Sequence, residues 1–147
     1  MEQQKQPVAK PSIFPKQVEY GINIVFNAIF LVVVNNALEW GFLPFLTQDF
    51  KKIIWLFNVS IIATIIANVI FFFFDTDWFT SLVKFFLNAI GLTLAIIMLQ
   101  VFPFDFSGYA FDWALVMRIL LIIGIVGTGI GILAELFKFT AAVWKRL

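Results

Sequence analysis

Apolar positions along this chain gather into four long runs separated by short polar stretches. The runs cover Val18–Trp40, Lys52–Phe74, Trp78–Phe102 and Phe111–Phe139. About 20 apolar residues at about 1.5 Å each span the roughly 30 Å hydrocarbon core of a bilayer, and each run reaches that length. In lipid, backbone N–H and C=O groups must be satisfied inside each segment, so the runs are expected to be helices. The connections are short, which packs sequential helices antiparallel. The expected fold is therefore an all-α integral membrane protein, an up-down-up-down bundle of four transmembrane helices. It occupies residues 18–147 and follows a polar tail over 1–17.

Loop residues mark the breaks. Gly41 and Pro44 end the first run, with Thr47 or Asp49 as candidate caps of the second helix. Asp75-Thr76-Asp77 joins the second and third helices, and either aspartate can cap the third. Pro103–Ala110 is the longest connection. The tail holds Lys5, Lys10, Lys16, Pro7, Pro11 and Pro15, leading into an interfacial turn at Ile13–Phe14.

Composition strengthens the membrane reading. The chain is 62% hydrophobic and only 13% charged, with a mean hydropathy of +0.99. Soluble domains carry about 25% charged residues. The net charge of +1, with no basic block, gives no argument for nucleic acid. The lipid bilayer is the expected surrounding, with another membrane protein or a second copy of the chain as partner.

The bases set an orientation. With four spans, Lys5, Lys10, Lys16, Lys138, Lys145 and Arg146 share one side, and only Lys51 and Lys52 lie on the other. The positive-inside rule then places both termini in the cytoplasm and the chain in the cell (cytoplasmic, inner) membrane. Trp40, Trp55, Trp78, Trp113 and Trp144 fall near span ends, as an aromatic belt requires.

Catalytic chemistry finds little purchase. The chain has no Cys and no His, which removes thiol redox chemistry, iron–sulfur clusters and the usual haem and zinc ligands. Phosphate-loop and nucleophile-elbow patterns are missing, so no catalytic residue, metal or cofactor is expected.

Ionisable groups inside the spans cost free energy and call for partners. Glu39 and Arg118 fall at comparable depth toward the outer side, Lys84 and Glu135 toward the inner side, which predicts two ion pairs: Glu39–Arg118 and Lys84–Glu135. The plainer reading is that both fix helix register. The functional reading makes the outer group a lipid- or anion-binding pocket, with Arg118 as ligand, Glu39 orienting it, and Asn35, Asn58 and Gln100 completing the wall. In the last run, Gly124, Gly127 and Gly131 mark a face that allows close helix approach, within the bundle or to another chain. The sequence thus favours a non-enzymatic accessory or scaffold subunit or a homo-oligomer. A small channel, transporter or lipid/anion-binding protein using the outer pocket is the alternative.

Overall fold

A computed structural model describes residues 15–147; the expected tail and its turn at Ile13–Phe14 lie outside the described residues up to residue 14. Four helices carry the chain: α1 Lys16–Trp40, α2 Ile54–Phe73, α3 Asp77–Val101 and α4 Trp113–Trp144. All four are long and apolar enough to cross a membrane. A 3-10 turn over Gln48–Lys52 leads into α2, and the described residues contain no strand beyond a single bridge.

Local chemistry explains the boundaries. Gly41 closes α1 in the left-handed conformation, φ 62°, which a residue without Cβ adopts freely. Asp112 caps α4, its carboxylate accepting the Leu115 N–H at 3.1 Å. The other expected caps do not form. Thr47 and Asp49 are drawn into the 3-10 turn, and α2 starts from Ile53 without a side-chain cap. Thr76 holds the cap position of α3, and Asp75 instead accepts the Thr80 hydroxyl at 3.2 Å. At its far end α4 runs on through Thr140–Trp144, where no glycine or proline interrupts it. Its 32 residues make it the longest element.

Each helix packs chiefly on its chain neighbour: α1 on α2, α3 on α4, and α2 more lightly on α3. Two apolar clusters hold this arrangement. One joins Val34 and Ala37 of α1 to Phe50, Ile53 and Ile61, with Ile97, Met98 and Val101 of α3 against it. The other joins Tyr20, Ala67 and Phe71, flanked by Phe79, Val83 and Leu87. Helix α4 contributes no buried residue to either.

Opposite ends of the molecule are organised differently. The loops after α1 and α3 are fastened to each other by backbone hydrogen bonds. Thr47 N–H donates to the Pro103 carbonyl at 2.9 Å, and Asp105 N–H to the Phe45 carbonyl at 2.8 Å. Phe45, Phe104 and Phe106 stack over this junction, ring centroids 4.9 to 6.1 Å apart. At the other end Lys16 meets Asp75 at 3.5 Å, and the Arg146 guanidinium lies 5.8 Å from the Trp78 ring. The start of α1, the α2–α3 turn and the end of α4 therefore gather there. This is called the terminal end below, and the fastened loops form the loop end.

Candidate functional site, a charged cavity at the terminal end

Polar groups between the helices form local pairs. Asn35 of α1 and Asn58 of α2 exchange two hydrogen bonds, 2.6 and 3.0 Å. Deeper toward the terminal end, the Asn23 amide donates to Asn68 at 3.4 Å. Asn27 and Asn36 turn back to carbonyls of their own helix at 2.8 and 2.7 Å. The Asn35–Asn58 and Asn23–Asn68 bonds link α1 to α2.

The expected outer site does not assemble. Glu39 and Arg118 form no ion pair among the described residues. The reason is azimuth: Glu39 belongs to α1 and Arg118 to α4, and these helices are not among the main packing pairs. Arg118 instead lays its guanidinium over the Phe102 ring, 4.2 Å from the centroid, a cation–π contact. It lines a cavity of about 520 Å³ walled by Phe102, Phe104, Phe106, Tyr109, Phe111 and Trp113, together with Asp105, Ser107 and Asp112. That lining includes none of Glu39, Asn35, Asn58 or Gln100. Asp105 is held below the usual carboxylate range by the hydrogen bonds it accepts from Ser107.

The Lys84–Glu135 pair also needs correction. Glu135 bonds Lys138 at 3.5 Å, one turn along its own helix, because that neighbour is nearest whatever α3 does. Lys84 is exposed and has no carboxylate within 4.0 Å among the described residues. The two residues nonetheless line the same space. A cavity of about 590 Å³ at the terminal end is walled by all four helices. Its bases are Lys16, Lys84, Lys138 and Lys145, and its acids are Glu19, Asp75, Asp77 and Glu135. Deeper in, its lining adds Asn23, Asn68, Thr80 and Ser81, of which the last three are buried.

This cavity was only half visible as a pattern. Lys84 and Glu135 carry the signal, but Lys16, Asp75 and Asp77 read as ordinary residues of a tail and a turn, and Glu19 as the start of the first run. Their convergence depends on the start of α1 folding over the α2–α3 turn, which the Lys16–Asp75 contact and the Tyr20–Phe71 ring contact at 5.6 Å record.

Of the three glycines expected to pack, only Gly131 faces a neighbour: a Cβ there would lie 3.4 Å from the Asn88 amide nitrogen. A Cβ on Gly124 or Gly127 would meet open space, and both residues are exposed. The described residues hold no group of three or more His, Cys, Asp or Glu able to bind a metal. The chain matches no family model, no curated protein and no solved structure.

Proposed function

We propose that this chain is a four-span integral membrane protein that works by contact rather than catalysis. It serves as an accessory or scaffold subunit of a membrane complex, or assembles with copies of itself. The observation that carries this reading is α4. That helix packs chiefly on α3, buries none of its residues, and leaves Gly124 and Gly127 on an open side. Lipid offers no hydrophobic drive for helix association, so small residues that let two backbones approach are the usual basis for a contact.

The four spans run up-down-up-down through the cell membrane. Supporting this are the mutual fastening of the loops after α1 and α3 and the gathering of the start of α1 with the end of α4 beside the α2–α3 turn. Lys16, Lys138, Lys145 and Arg146 stand at the terminal end, against Lys51 and Lys52 at the other. That imbalance favours cytoplasmic termini. Native mass spectrometry after gentle extraction tests the assembly. Gly124→Leu with Gly127→Leu is expected to strip away a second copy or a partner while the helix content is retained. An assembly unchanged by that double substitution refutes a docking role for α4.

A second reading, a membrane protein that holds a small ligand, is favoured by the charged cavity at the terminal end. It takes the place of the outer pocket around Glu39 and Arg118. Its test is a bound small molecule of constant mass that survives purification of the full chain and is lost when the cavity is altered.

A further inference from the structure

The lining of the terminal cavity is neutral in sum but dense in charge of both signs. A ligand carrying only negative charge would enter beside four carboxylates, and one carrying only positive charge beside four lysines. Each would be repelled by the like-charged half of the lining. We infer that the cavity takes a zwitterion bearing a phosphate and an ammonium group, the chemistry of a phosphoethanolamine headgroup. This rests on the ligand-holding reading above and names its ligand class.

Lys84 is the anchor for the phosphate. It is an exposed residue of the cavity lining, without a carboxylate partner among the described residues. Ser81 lies three residues earlier on the same helix face, buried and lining the same space. A lysine ammonium and a serine hydroxyl supply donors to phosphate oxygens without the rigid fork of an arginine. Glu135 is the anchor for the ammonium. Its side chain is 12% exposed, and its contact with Lys138 at 3.5 Å is longer than the ~2.7–2.9 Å of a close charge-assisted bond. A carboxylate has about four lone-pair sites, so this one retains capacity for a second cation.

Access follows from the packing. Helices α1 and α4 both line the cavity but are not among the main packing pairs, and we take the seam between them as the way in. A headgroup can enter there with its acyl chains still in the leaflet. The volume, about 590 Å³, is within the roughly 300–1,000 Å³ of small-molecule sites.

The same headgroup chemistry has two sources, a membrane lipid or free phosphoethanolamine, and one experiment separates them. The full chain, purified in detergent, is offered equal amounts of phosphatidylethanolamine and phosphatidylglycerol with matched acyl chains, and retained lipid is read by native mass spectrometry. Phosphatidylethanolamine is expected to be retained about tenfold over phosphatidylglycerol, the order of one charge-assisted hydrogen bond. Glu135→Gln is expected to remove that preference, and Lys84→Met to lower retention of both lipids, which share the phosphate, whereas Arg118→Met, at the loop end, is expected to change neither and so serves as the folding control. Displacement of the lipid by millimolar phosphoethanolamine supports the assignment and makes the soluble compound the source; retention in its presence supports the lipid. Preference for phosphatidylglycerol overturns the zwitterion assignment but leaves a ligand site standing. Absence of both lipids and of phosphoethanolamine overturns the site as well. A wild-type preference in Glu135→Gln overturns the role of Glu135, and undiminished retention of both lipids in Lys84→Met overturns that of Lys84.

Discussion

Asn35 and Asn58 hold each other through two hydrogen bonds across the α1–α2 interface, each amide acting as donor and acceptor. Removing one partner leaves an amide unsatisfied, whereas removing both leaves an apolar contact of similar shape. Asn35→Leu is expected to lower unfolding free energy in mixed micelles by about 0.6–1.7 kcal/mol. Asn35→Leu with Asn58→Leu is expected to recover most of that loss. A double variant as unstable as the sum of the two singles argues against the pair.

Gly131 and Gly127 differ in what stands opposite them, although they are one spacing apart on the same helix. A leucine at 131 would push against Asn88 and wedge α4 from α3. Overpacking of this kind typically costs about 1–3 kcal/mol. Gly131→Leu is therefore expected to lower thermal stability of the detergent-solubilised chain, and Gly127→Leu to leave it unchanged. Equal destabilisation by the two would place a neighbour against Gly127 as well.

Thr47 carries the one buried side-chain polar atom without a hydrogen-bond partner among the described residues. Its backbone N–H is committed to Pro103, and its hydroxyl gains nothing from burial. An unsatisfied hydroxyl costs about 1–3 kcal/mol, so Thr47→Val is expected to be neutral or stabilising. A clear drop in melting temperature for this variant would reveal a partner for the hydroxyl.

Asp105 accepts the Ser107 N–H at 2.9 Å, and hydrogen bonds from Ser107 lower its pKa. A carboxyl group whose folded pKa lies below its unfolded value stabilises the fold above the unfolded pKa. That contribution is lost as pH falls through the folded pKa. Acidification below the ordinary carboxylate range is expected to release the Ser107 amide, seen as loss of its hydrogen-exchange protection. Asp105→Asn is expected to remove the pH dependence. A Ser107 amide insensitive to pH in the unaltered chain would contradict the assignment.

Helix number and approximate length were legible because lipid makes length a constraint: a run of apolar residues is either long enough to cross or it is not. The glycine cap at Gly41 followed from its freedom in the left-handed region. Pairing was another matter. Residue count gives the depth of Glu39, Arg118, Lys84 and Glu135 along their helices, but says nothing of which side of each helix faces which neighbour. Glu39 and Arg118 share a depth on helices that are not main packing partners. Lys84 and Glu135 share a cavity, yet Glu135 takes Lys138 first. The charged cavity itself draws on six segments scattered from Lys16 to Lys145, and only the folded chain brings them together.

The stitching of the two loops bears on how the molecule breathes. Bonds from Thr47 to Pro103 and from Phe45 to Asp105 fasten the α1–α2 and α3–α4 hairpins at one end. At the other end the hairpins meet through side chains, Tyr20, Ala67 and Phe71 against Phe79, Val83 and Leu87, with no backbone hydrogen bond between them among the described residues. Such an assembly is expected to pivot like tweezers, with its fulcrum at the loops and its widest excursion where the lysines and carboxylates stand. Spin labels on the exposed residues Lys16 and Lys145 are expected to report a broader distance distribution than labels on Trp40 and Trp113. Equal widths at the two ends would mean that the hairpins move as a rigid block.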